Sequence, residues 1–136
     1  MADQVQAPMP RPSLLSQPFW DAANEGRLAL QRCDSCSAYR WTPQILCPAC
    51  FGESATWTDV SGRGKLYSFT TVHRAPVPGF DVPYVLAVVE LAEGPLMLTR
   101  LVDSDPAAIA IDDPVEVAFT RASEAINLYT FRAIAA

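Results

Sequence analysis

Cys33-Asp34-Ser35-Cys36 and Cys47-Pro48-Ala49-Cys50 contain every cysteine in the chain. Each pair brackets two residues, and ten residues separate the pairs. A Cys-x-x-Cys turn aims two thiolates at one point, and two such turns close a tetrahedral four-sulfur site. This is the spacing of a rubredoxin-like knuckle pair holding structural Zn2+. The rival reading is a redox Cys-x-x-Cys, which needs only one pair and a βαβ setting that the flanking sequence does not offer. A closed four-cysteine set has no open coordination position. Cys33, Cys36, Cys47 and Cys50 are therefore read as metal ligands that order a segment too short for its own core.

Outward from the knuckles, the N-terminal side reads as a helix and a strand. Residues 1–16 form a proline-broken arm, expected to be flexible. Ser16, Pro18 and Gly26 are start and stop signals for a helix over residues 17–25, with Ser16 as its cap and Phe19, Trp20 and Ala23 on one face. Leu28 and Leu30 alternate into Cys33 as a strand. Tyr39, Trp41 and Pro43 lie between the knuckles, suited to the small strands of a zinc ribbon. Helix and ribbon together take residues 17–58.

Residues 59–136 read as strands. Ser61-Gly62-Arg63-Gly64 is a turn signal. From Lys65 to Arg74 the chain alternates, with Leu66, Ser68, Thr70 and Val72 on one side and Tyr67, Phe69, Thr71 and His73 on the other. A proline-rich loop, Ala75–Pro83, precedes the nearly continuous apolar run Tyr84–Leu91, read as a buried strand. Ala92–Pro95 turns into a strand over Leu96–Val102. Residues 114–120 and 128–134 are two more. Five strands without a long helix predict a mainly β chain ending in a five-stranded OB-type barrel, with a sandwich as the alternative.

Composition limits the function. The chain has 136 residues, half of them hydrophobic and 18% charged, enough for a packed core. Its net charge is −5, or about −7 with four thiolates and Zn2+ counted. That balance opposes phosphate binding, so no nucleic-acid partner is expected. No apolar run reaches the roughly 18 residues of a membrane helix. Reduced thiols and no secretory signal point to the cytoplasm.

Several residues together resemble a known family. They are Pro18-Phe19-Trp20, the Leu28-x-Leu30-x-x-Cys33-x-x-Cys36 approach, the Cys47-Pro-x-Cys50 knuckle, Ser61-Gly-Arg-Gly64, the strand Leu66-Tyr-Ser-Phe-Thr-Thr-Val-His73, and Pro83-Tyr84. The pattern is similar to the zinc-ribbon/OB-fold acyl-CoA-associated family, long known as a domain of unknown function. It covers nearly all of the chain after residue 16. The resemblance implies an N-terminal helix, a rubredoxin-like ribbon and a C-terminal OB barrel. It also implies a non-catalytic partner of thiolase/aldolase-superfamily enzymes, or of hydratases, in acyl-CoA and steroid side-chain breakdown. One departure is visible. The family usually carries glycine just before its fourth barrel strand, where this chain has Asp112-Asp113-Pro114.

The remaining candidates each have two readings. Phe19, Trp20, Trp41 and Phe80 mark a partner surface, or else pack the helix and loop onto the fold. Arg63, Lys65 and Arg74 meet the phosphates of an acyl-CoA at an interface, or are solvated strand ends. His73, the lone histidine, contacts that thioester, or is a satisfied strand-end residue; no oriented partner for a general base stands beside it. Three functions follow: the accessory subunit, a single-strand nucleic-acid binder with Tyr67 and Phe69 as stacking platform, and a free-standing acyl-CoA enzyme. The acidic balance weighs against the second and the missing nucleophile against the third.

Overall fold

The computed structural model describes residues 6–134. Helix α1, Gln17–Asn24, is followed by strands β1 (Ala29–Cys33), β2 (Tyr39–Arg40) and β3 (Ala55–Asp59). Strands β4 (Arg63–Val72), β5 (Tyr84–Leu91), β6 (Leu96–Leu101), β7 (Pro114–Arg121) and β8 (Asn127–Ala133) complete the chain. The first three strands form a sheet in the order β2-β1-β3, and the other five close a barrel in the order β4-β5-β6-β8-β7. Among the described residues only β6 and β8 pair in parallel, through Leu101 and Phe131. The closure rules out the sandwich and gives the OB-type architecture.

Helix α1 stops as its sequence predicts. Gly26, at φ +77°, supplies the left-handed residue, and the Gly26 and Arg27 N–H groups donate to Ala23 and Ala22 carbonyls, a Schellman ending. Its start differs. The Ser16 side chain makes no cap bond to the helix; its Oγ instead accepts from the Ser13 N–H at 2.9 Å. Of the arm, residues 1–5 lie outside the described residues. Ala7 lies so close to Gly79 that any Cβ there would collide with its backbone.

Two strands depart from the expected patterns. A bulge between Leu66 and Ser68 breaks the register of β4 against β5. The extra residue shifts the pleat, so Leu66 is buried and Phe69 packs against the core while Tyr67 between them is exposed. Tyr67 and Phe69 therefore form no common platform. The run Tyr84–Leu91 alternates strictly: Val85, Ala87, Val89 and Leu91 point into the barrel, and Tyr84, Leu86, Val88 and Glu90 are half-exposed. It is buried on one face only.

The glycines of Ser61–Gly64 do more than turn the chain. Gly64 pairs with Leu91 on one side and Val115 on the other. It sits where β4 closes the barrel, and a Cβ there would strike the Glu90 carbonyl. Before β7, Asp112 takes φ +72° and its N–H donates to the Leu66 carbonyl at 2.8 Å. Aspartate tolerates this left-handed conformation better than most residues, so the turn forms without glycine.

One apolar core runs through both parts. Phe19, Leu28 and Leu30 belong to the same cluster as barrel residues Leu66, Val89, Met97, Val115 and Phe131. Where helix, ribbon and barrel meet, the Phe19 ring lies 5.1 Å from Trp20, 4.6 Å from Trp41 and 5.4 Å from Tyr129. Beside this junction, the Asn127 N–H donates to Asn24 Oδ1 at 2.8 Å and Asn24 Nδ2 donates to the Ala125 carbonyl at 2.9 Å. The helix is thereby tied to the β7–β8 turn.

Candidate metal centre and docking face

The two knuckles are built alike. The Cys33 N–H donates to the Ala38 carbonyl and the Cys47 N–H to that of Gly52; Ser37 and Phe51 N–H groups return to the Cys33 and Cys47 carbonyls. Four residues after its first cysteine, each knuckle needs a left-handed residue, and Ser37 (φ +67°) and Phe51 (φ +62°) take that position. The four sulfurs all lie within 4.8 Å of one another, with Cys33 to Cys50 at 3.6 Å and Cys36 to Cys47 at 3.7 Å. A disulfide is about 2.0 Å long, so these are not bridges. Zn–S bonds of about 2.3 Å place tetrahedral sulfurs roughly 3.8 Å apart. The donor set fits Zn2+.

The electrostatics agree. Backbone N–H groups of Cys36 and Ser35 aimed at Cys33 pull its thiol down to about 6, and those of Cys50 and Ala49 lower Cys47. Cys50 receives the Gly52 N–H, which lowers it, but its crowding against Cys33, Cys36 and Cys47 pushes it up to about 12. Each knuckle is preorganised for thiolate, yet four cannot ionise together without a cation between them. When bound, Zn2+ supplies that charge and a cross-link. Next to the cluster, Asp34 accepts from the Ser54 and Thr56 hydroxyls, and these bonds hold its carboxyl below the usual range, with Arg40 adding a smaller pull.

The other predicted site residues do not converge. Phe19 is 1% exposed and belongs to the core, so it cannot present a surface. Trp41 packs beside it, half-buried. Trp20 and Phe80 do meet, across a groove of about 340 Å³ that Tyr84, Leu86, Leu98, Arg100 and Tyr129 also line. Arg63 and Lys65 begin β4, while His73 and Arg74 lie just past its end, about 30 Å away at 3.3 Å per residue. They form no single phosphate site. Lys65 instead faces Glu90 at 3.6 Å and Asp112 at 3.8 Å.

Two apolar features were not foreseen. Tyr67, Leu96 and Leu98 are exposed on the outside of the barrel, Leu98 by 56%, next to half-exposed Leu86 and Val88. The run Leu96-Met97-Leu98 is apolar throughout, so its sequence did not reveal which side faces out. On the second knuckle, Ile45, Leu46 and Phe51 are exposed, Phe51 by 74%. A bulky residue in a position that favours glycine was the available signal there. No helix among the described residues is long and apolar enough to cross a membrane.

Comparison with known proteins agrees with this architecture. Residues 20–55 match the family described as "ChsH2, rubredoxin-like zinc ribbon domain", and residues 57–120 match "ChsH2, C-terminal OB-fold domain". A "Probable enoyl-CoA hydratase alpha subunit" of Thermomonospora curvata is 38% identical over 125 residues, 90% of this chain. The chain spans only 39% of that relative's length. A "DUF35 domain-containing scaffold protein" of Methanothermobacter thermautotrophicus is 33% identical over 95 residues, 68% of this chain and 71% of the relative. A solved structure described as "Ltp2-ChsH2(DUF35) aldolase" contains a chain that superposes with a TM-score of 0.84 at 34% identity, covering 92% of this chain and 98% of that one. With both family domains matched and a scaffold relative covered over 71% of its length, this chain belongs to the ChsH2-type zinc-ribbon/OB-fold family, also called DUF35.

Proposed function

We propose that this chain is a non-catalytic accessory subunit that docks on a thiolase/aldolase-superfamily enzyme, or a hydratase, acting on acyl-CoA thioesters. The observation that carries the reading is the match over 98% of a ChsH2(DUF35) chain from a structure described as an aldolase with Ltp2. The chain's own surface supports it. Tyr67, Leu86, Val88, Leu96 and Leu98 make an outward apolar face on strands β4–β6, the kind of patch that marks a protein interface. The aromatic groove beside it suits an acyl chain. Arg100 at its rim makes no ion pair among the described residues and suits a phosphate of coenzyme A. Steroid side-chain and fatty-acyl thioesters are the substrates such an enzyme would take.

Co-expression with the thiolase, aldolase and hydratase candidates of the same genome tests this. One of them co-elutes with the chain and gains stability or turnover. Leu98→Glu abolishes co-elution without lowering the melting temperature of the isolated chain. Turnover of acyl-CoA by the isolated chain, or co-elution unaffected by Leu98→Glu, would refute the reading.

A further inference from the structure

Arg40 is 4% exposed, and its Nε, Nη1 and Nη2 atoms are buried without any hydrogen-bond partner. A guanidinium stays charged at any physiological pH, and an uncompensated buried charge is strongly disfavoured. Its neighbour Arg32 behaves as a surface arginine does, exposed and stacked over the Tyr39 ring at 5.2 Å. The ribbon therefore contains one buried arginine whose guanidinium no neighbouring group hydrogen-bonds.

The register shows where that charge lies. Arg40 of β2 is directly opposite Gln31 of β1. Side chains alternate along a strand, so Gln31, Cys33 and Arg40 share one face of the sheet. The segment leading into the second knuckle covers that face, since the Gln44 N–H donates to Gln31 Oε1 at 2.8 Å. Arg40 is thus buried on the face of the sheet that carries a metal ligand. Among the described residues no ion pair includes Arg40. Asp34 is near enough to feel its charge but gives its oxygens to Ser54 and Thr56. Four thiolates around Zn2+ leave a net charge of about −2, and in a low-dielectric interior that dianion acts on a cation over several ångströms without direct contact.

We propose that Arg40 is the internal counter-charge of the zinc–tetrathiolate, strengthening metal retention through its positive charge. The charge stabilises the loaded site, because it offsets the thiolates' mutual repulsion, and the loaded site in turn compensates the buried guanidinium. The role is one of positioning charge. Arg40 is not a ligand.

Zinc affinity of the full chain, measured by competition with a chromophoric chelator, is the test, with the barrel checked by circular dichroism. Arg40→Met keeps the length and apolar fit but removes the charge. It is expected to weaken zinc binding about 10- to 100-fold, the range of outer-shell changes at metal sites, and to speed zinc release. Arg40→Lys keeps the charge and retains most of the affinity. Asp34→Asn does not weaken binding. Equal weakening in Arg40→Met and Arg40→Lys would assign the effect to packing and overturn the proposal. So would wild-type affinity in Arg40→Met, or an Asp34→Asn loss that matches it. Should Arg40→Met fail to fold, Arg40→Lys decides alone: retained affinity supports the proposal and lost affinity overturns it.

Discussion

Truncating Phe19 to alanine decides between its two readings. The ring is 1% exposed and lies within 5.4 Å of Trp20, Trp41 and Tyr129. Removing a buried phenyl ring costs about 3–5 kcal/mol, cavity included. Edge-on aromatic pairs add about 0.5–1.5 kcal/mol beyond their area, so the upper half of that range is expected. Domains of this size are stable by about 5–15 kcal/mol, so one ring carries a large fraction of the total. The melting temperature should fall by on the order of 15 °C. Phe19→Leu fills part of the space and should lose roughly 1–2 kcal/mol. Urea unfolding of zinc-loaded protein, followed by tryptophan fluorescence, measures both, because Trp20 and Trp41 border the same ring. A midpoint within about 1 kcal/mol of wild type at unchanged slope would refute the assignment of Phe19 to the core.

Further expectations concern glycines, protons and metal. Gly64→Ala should prevent or weaken barrel closure by several kcal/mol, because the new Cβ meets the Glu90 carbonyl; Gly26→Ala, with open space around it, should cost only about 1 kcal/mol for its left-handed φ. Thermal melts that rank the two the other way would contradict this. Burial raises the Tyr129 hydroxyl above its usual value of 10. The unfolded chain therefore releases this proton first, and the contribution is complete below about pH 10 and lost as pH rises through the folded value. The stability gap between wild type and Tyr129→Phe should shift toward the variant between pH 8 and pH 11; a gap independent of pH removes the assignment. Chelation or Cys36→Ser should unfold residues 31–52, and falling pH should release zinc as the thiolates are protonated. Ribbon contacts retained by NMR after chelation would count against it.

What the sequence makes legible is what spacing alone determines. The four cysteines need no tertiary context, because two residues between ligands and a closed donor set dictate the knuckles. The strands were legible as strands, but their faces were not. The bulge at Tyr67 reverses the pleat of β4 midway, and periodicity counted across it assigns Phe69 to the wrong side. The run Tyr84–Leu91 is apolar apart from Glu90, so composition suggested a buried strand where the barrel covers only one face. Arg63, Lys65, His73 and Arg74 are close in sequence but lie at opposite ends of one strand. Arg40 is hidden for a different reason. It lies in a two-residue strand, and only its pairing with Gln31 decides that it points inward.

The Asn127 N–H to Asn24 bond joins residues 103 positions apart, and Phe19 meets Tyr129 at the same junction. On the ribosome, α1 emerges long before β8 exists. Until that strand arrives, Phe19 lacks the tyrosine that covers it, whatever the ribbon has done. A chain interrupted before Tyr129 leaves an aromatic helix without its cover, a ready target for chaperones and proteases. The packing of one ring thereby depends on a strand made much later in the chain.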